Sequence, residues 1–264
     1  MAKFDHKSGV EQEYDKRADA YLKSKVHFAG ADLDFITERV GVQPDAIALD
    51  LGCGGGHVSF RLAPNVFRVI AYDLAQNMLA TVSAEATRRG ITNIVTKQGA
   101  VETLPCASDT FDIAVTRYSA HHWQDMAVGV RQIHRVLKAS GLAIFSDVLT
   151  PGLALQDTWL QTVELLRDSS HVRNAKLSEW VSILESVGFA IEQIVMGRLR
   201  LDFKTWIART HTQQTNIAAI QSLQLSANCE VRDYFEIDAE GSFTVDEAVL
   251  VARKRAAPNT VAGT

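Results

Sequence analysis

The chain has 264 residues, 47% of them hydrophobic and 22% charged, and a formal net charge of −4 with its eight histidines neutral. That is enough chain for one large α/β domain or two small ones with a substantial core. The negative balance, without any basic block, argues against nonspecific binding to nucleic acid or anionic lipid. Three cysteines, Cys53, Cys106 and Cys229, are dispersed without metal-ligand spacing, so no metal site is expected and a reducing cytoplasm suits them. The first residues, MAKFDHKSGVEQEYDKR, are charged and lack an apolar core, so no secretory leader is expected. No apolar run is long enough to cross a bilayer.

Residues 14–40 read as helical. Ala18, Tyr21, Leu22 and Lys25 make one partial stripe, and Leu33, Ile36 and Val40 another, with Gly30 between them. An apolar run over 46–49 then ends in Asp50, and glycines follow at 52, 54, 55 and 56. A helical pattern begins near His57, with Val58, Phe60, Leu62 and Ala63 as its apolar positions, and a second apolar run over 67–72 ends in Asp73. Strand, glycine turn, helix, strand and acid make a nucleotide-binding βαβ unit. Glycine lacks Cβ, so the turn reaches positive φ and a ligand can lie against bare backbone. The helix start offers free N–H groups to an anionic group. Asp73, roughly 20 residues past the first glycine, can accept both hydroxyls of a ribose.

The dinucleotide pattern G-x-G-x-x-G counted from Gly52 places its third glycine at His57, and no Gly-Lys-Ser/Thr is present. What stands there is D-L-G-C-G-G-G. It resembles the first motif of class I S-adenosylmethionine (SAM) methyltransferases, D-x-G-x-G-x-G, in which Asp50 would suit the ammonium of SAM. The resemblance implies a Rossmann-like α/β fold: a seven-stranded, mostly parallel sheet of order 3-2-1-4-5-7-6, strand seven antiparallel, with helices on both faces and a helical lid. It implies one domain over 1–264, with residues 1–40 as a helical cover and 151–175 and 202–225 as lid insertions. Tyr14, Tyr21 and, more weakly, His27 are the cover residues that would face the cofactor.

Met78, Leu79, Val82 and Ala86 give the next helix, ended by Gly90, and 93–97 the third strand. In the family, the residue after the acid and a Met shortly beyond it flank the adenine; here these are Leu74 and Met78. The stretch QGAVETLPCASDTFD resembles the family's G-D-A-E-x-L-P-F…F-D, with Gly99, Val101, Glu102, Leu104, Pro105, Phe111 and Asp112 fitting. Ala100 replaces the acid that often binds the adenine amino group, and Cys106 replaces Phe. Backbone groups of Ala100 and Val101 could still read the adenine edge. The fourth strand, 111–116, is an unbroken apolar run leading into RYSAHHW, at the strand end where parallel sheets bind ligands. Arg117 joins the cofactor set, Tyr118 the acceptor side, and His121 and His122 are candidate general bases.

A helix over 126–138 and a strand over 142–148 complete a fifth unit, the turn V-L-K-x-x-G (Val136, Leu137, Lys138, Gly141) matching the family. Pro151 and Gly152 break the chain before a helix marked by Leu155, Trp159, Thr162, Val163 and Leu166. Arg167, His171 and Arg173 follow, and could grip an anionic acceptor. Ser178 is the expected cap of a further helix ended by Gly188. A sixth strand over 189–201, an amphipathic helix over 202–224 carrying Trp206 on the acceptor side, and a last strand over 243–252 close the chain. RYxxHHW together with LRDxSHVR is similar to an uncharacterised bacterial subgroup near the ubiquinone/menaquinone-methyltransferase-like (type 11) family. The implied activity is methyl transfer from SAM to a small organic acceptor on O, N or C, leaving S-adenosylhomocysteine. Neither nucleic acid nor membrane insertion is expected, and a homodimer stays open. A SAM-binding protein without chemistry is the alternative; His57 in place of glycine disfavours an NAD-linked oxidoreductase.

Overall fold

The computed structural model describes residues 9–11 and 30–256; Tyr14, Tyr21 and His27 lie outside the described residues. After a helix α1 (Ala31–Val40) come β1 (Gln43–Leu51), α2 (His57–Leu62), β2 (Val66–Asp73), α3 (Gln76–Arg88), β3 (Ile94–Gln98) and β4 (Phe111–Arg117). Then follow α4 (Met126–Val136), β5 (Leu137–Leu149), α5 (Ala154–Arg167), α6 (Leu177–Val187) and β6 (Phe189–Leu201). Three short helices, α7 (Phe203–Arg209), α8 (Gln214–Leu225) and α9 (Cys229–Tyr234), precede β7 (Phe243–Lys254). The sheet order is β3-β2-β1-β4-β5-β7-β6, as expected. β7 runs antiparallel to both its neighbours and the remaining pairs are parallel.

Strand side chains alternate between faces, and this sheet is covered on both. Leu49 and Leu51 of β1 join Phe145, Trp180 and Phe189 on one side. Ala46 and Ala48 of the same strand join Leu33, Ile36 and Ile144 on the other. A third apolar cluster is separate from these. Trp159 of α5, Trp206 of α7, Phe235 after α9 and Phe243 of β7 pack together there, with Tyr118 against them. That cluster roots the helical cap on the end of β5 and β7. No helix among the described residues is long and apolar enough to cross a membrane.

Three local expectations are corrected. The helix before β5 ends at Val136, and the strand begins at Leu137, which pairs with Phe111 across an irregular register; Ser140 takes φ 62° in the resulting bulge. The cap of α6 is Lys176 rather than Ser178, because the Glu179 carboxylate accepts the Lys176 backbone N–H at 2.8 Å. The helix expected over 202–224 is two helices, broken where His211 adopts φ 51°, and α9 was not foreseen.

Candidate functional site

The glycine turn between β1 and α2 is held in place from behind. Gly52 and Cys53 both donate their N–H to the Tyr72 carbonyl, at 2.8 and 3.1 Å. Gly52, Gly54 and Gly56 all take positive φ, at 65°, 48° and 78°. At Gly52 the requirement is also steric, since a Cβ there would lie 1.9 Å from Ser119 Oγ. The turn thus brings β1 and the loop after β4 closer than any side chain would allow. Gly56 is different: it caps α2 and abuts Val82, without lining the crevice.

Two acids frame this turn. Asp50 is 1% exposed, and its Oδ2 accepts the Ser59 N–H at 3.0 Å and the Ser59 hydroxyl at 2.6 Å. The helix-start N–H expected to meet a ligand is thereby taken by the protein's own acid. Burial pushes the Asp50 carboxyl up to about 7, although the two Ser59 hydrogen bonds pull it down. Asp73 accepts the Gly54 N–H on Oδ2 at 2.8 Å and the Ala75 N–H on Oδ1 at 2.9 Å. It therefore ties the turn to β2 as well as facing the crevice.

The crevice runs between these acids and the loop after β4. Leu74, Ala100 and Val101 line one side and Arg117, Tyr118 and His122 the other. Val10 lines it too, and the neighbouring Glu11 carboxylate accepts from Gln98 Nε2 at 2.9 Å. Met78 does not line it: the side chain is fully buried on α3, a core role.

Arg117 is committed to a partner that the sequence did not reveal. Its Nε and a terminal nitrogen donate to the two oxygens of Asp32 on α1, at 2.5 and 2.9 Å, with both side chains 5% exposed. Ser146 Oγ also donates to Asp32, at 3.3 Å. Next to it, Tyr118 holds φ 50°, an uncommon conformation for a bulky residue. Its hydroxyl donates to the Glu247 carboxylate of β7. Gly197 of β6 leaves room there, since a Cβ would come within 3.0 Å of Glu247 Oε1. Burial, then the nearby Asp32 charge, raises the Glu247 carboxyl above its ordinary range.

The two histidine-bearing stretches meet. The backbone N–H groups of Val172 and Arg173 donate to the His121 carbonyl at 2.8 and 3.2 Å, so segment 168–173 is strapped onto the loop after β4. His121 Nδ1 lies 2.6 Å from Asp147 Oδ1 at the end of β5. Burial pulls this imidazole down, but the Asp147 charge and hydrogen bond outweigh it and hold the ring above its usual value. The His122 ring is 4.2 Å from that of His121, and its Nδ1 lies 3.1 Å from the Ser170 carbonyl. Burial, then the charge on His121, drives His122 down to about 3, and His171 likewise. The Ser170 carbonyl accepts only a proton-bearing Nδ1, so the neutral His122 ring keeps its proton there. Among the described residues no group of His, Cys, Asp and Glu could hold a metal ion.

Of the five residues expected on the acceptor side, Tyr118 lines the crevice and the other four do not. Arg173 is exposed and bound to Glu179 and Asp157. Arg167 donates to the Trp206 carbonyl at 3.1 Å and pairs with Glu164. His171 Nε2 lies 2.9 Å from Gln161 Oε1. Trp206 is sealed inside the cap, 1% exposed. None of the four lines the crevice; they hold the cap together. Asp147 was legible in principle, since it ends the apolar run AIFSD as Asp50 and Asp73 end theirs; Asp32, Ser59 and Glu247 carried no such signal.

The methyltransferase domain family matches residues 49–145. The uncharacterized protein YafE of Escherichia coli K12 is 42% identical over 205 residues, 78% of this chain and 99% of that protein. The uncharacterized methyltransferase YcgJ of Bacillus subtilis 168 is 32% identical over 225 residues, 85% of this chain and 89% of that one. The crystal structure of the Bacillus YcgJ protein superposes with a TM-score of 0.83 at 30% identity, covering 87% of this chain and 100% of that chain.

Proposed function

We infer the workings of the site from the family to which this chain belongs, the class I SAM-dependent methyltransferases of type 11, and propose that its crevice holds SAM and offers the methyl group to a small organic acceptor admitted beneath the helical cap. The observation that carries this reading is Asp50, a buried carboxylate on the crevice wall whose hydrogen-bond partner among the described residues is Ser59. A carboxyl lifted to about 7 by burial is short of a cation, and the α-ammonium of SAM supplies one. On this reading Asp73 accepts the ribose diol, and Leu74, Ala100 and Val101 contact the adenine. SAM supplies an activated methyl group on a sulfonium. The protein's share is to bind, to align an acceptor and to exclude water; alignment alone can be worth about 7–11 kcal/mol.

The lack of a basic block in the sequence and the apolar cap favour a small acceptor over a nucleic acid. Calorimetry should show SAM and S-adenosylhomocysteine binding and NAD failing to bind. Label should pass from methyl-labelled SAM into low-molecular-weight products of a cell extract. Binding without label transfer would leave a SAM-binding protein without chemistry.

Gly52→Ala tests the cradle. A Cβ at positive φ, pressed against Ser119, adds strain of about 1–3 kcal/mol. The SAM dissociation constant should rise roughly tenfold or more, while Gly54→Ala, whose Cβ meets nothing within 4 Å, keeps only the backbone part of that cost. Equal losses at the two positions would remove the steric half of the argument.

A further inference from the structure

His121 is built differently from the other histidines of its cluster. The Asp147 carboxylate that faces it is itself aimed by backbone: Val148 N–H donates to Oδ1 at 2.8 Å and His121 N–H to Oδ2 at 3.3 Å. The imidazole meets Oδ1 through Nδ1, at 2.6 Å, so the ring proton sits on Nδ1 and Nε2 carries the lone pair. The side chain is 16% exposed; it is outside the crevice lining, in ring contact with His122, which lines it. It lies behind His122, on the side where Glu164 and Arg167 of α5 and His171 of segment 168–173 face it. Asp168 stands beyond, near His122 and His171.

Resting on the methyl-transfer reading above, we propose that Asp147 is the positioning residue of an Asp147–His121 pair whose Nε2 takes a proton from the methyl acceptor, and that the acceptor is an uncharged O–H or N–H compound. In that step the acceptor heteroatom forms a bond to the methyl carbon while the carbon–sulfur bond breaks. The electron pair stays on sulfur, which becomes a neutral thioether. The proton leaves the heteroatom for His121 Nε2, and Asp147 balances the imidazolium charge. His122, held near 3, is too weak a base for this and serves as a neutral crevice wall.

The charge class follows from the neighbouring cations. Arg117 is neutralised by Asp32, Arg167 pairs with Glu164, and Arg173 pairs with Glu179. The carboxylates of Asp147, Glu164, Asp168 and Glu247 crowd the same region. An anionic acceptor would meet more acid than base there. A tertiary amine would need no proton taken from it and would leave the pair without a task.

The test joins a resonance measurement to turnover in the full-length protein. Long-range nitrogen–proton NMR of the wild type with SAM bound should show His121 as the Nδ1–H tautomer, and Asp147→Asn should lower its titration midpoint. With methyl-labelled SAM and a protein-free bacterial extract as probe, Asp147→Asn and His121→Gln should each reduce label transfer at least tenfold with SAM affinity unchanged. The acid limb of the pH profile should move to lower pH in Asp147→Asn and return toward wild type in Asp147→Glu. A purely structural Asp147 would not move that limb. A His121 proton on Nε2, or an unmoved limb with label transfer intact, overturns the proposal while the methyl-transfer reading stands. No transfer by the wild type itself overturns both.

Discussion

Replacing Arg117 with Met should lower the free energy of unfolding by about 3–5 kcal/mol, the cost of stranding one partner of a buried ion pair. Asp32 would be left inside the protein, 8% exposed, with only the Ser146 hydroxyl still donating to it among the contacts described above. The pair joins α1 to the end of β4, so the loss should appear as a lower urea midpoint with an unchanged slope. The double variant Asp32→Asn/Arg117→Met should recover much of the deficit, because removing both charges together is often close to neutral. A double variant no more stable than the single would mean that the arginine acts through packing rather than charge.

The second large effect is on affinity. Asp50→Asn should weaken SAM binding by roughly 10- to 150-fold, the equivalent of about 1.5–3 kcal/mol for a hydrogen bond to a charged group. The pH dependence makes the case sharper. The Asp50 carboxyl, pushed up by burial, titrates at about 7 in the free protein, and the cationic ligand binds its ionised form. Wild-type affinity should therefore fall as pH drops below 7, by about tenfold at pH 6 relative to pH 8. Asp50→Asn has nothing to titrate and should lack that slope. Stability runs the other way. A carboxyl whose folded value is raised holds its proton more firmly when folded, so ionisation destabilises the fold progressively as pH climbs from about 4 to 7. Free Asp50→Asn should thus melt higher than free wild type above pH 7. A variant that bound SAM normally, or melted lower at pH 8, would dismiss the ammonium assignment.

Much of the scaffold was legible because its signals are local. The apolar runs ending in Asp50 and Asp73, the glycines between them and the unbroken run of β4 each declare themselves within a few residues. The sheet order and the cofactor crevice came with the motif resemblance. What stayed hidden depends on partners far away in the chain. Arg117 lines the crevice, but its pairing with Asp32, on another helix, could not be read from the residues around it. Arg167 and Arg173 belong to one cap segment and Trp206 to another, and the contacts of each lie within the cap. His121 and His122 are adjacent and alike in sequence; Asp147 raises the proton affinity of the first, while burial and the charge on His121 lower that of the second. The break at His211 falls within RTHTQQTN, a polar run between Ala208 and Ile217 that interrupts the apolar spacing of the helix expected over 202–224.

The bonds from Val172 and Arg173 to the His121 carbonyl bear on attempts to alter what this protein accepts. Segment 168–173 and the loop over 119–123 share one set of contacts, so neither can be exchanged alone without stranding donors on the other. Loops transplanted from a relative should travel as a matched pair, and natural divergence in acceptor choice should show both stretches changing together.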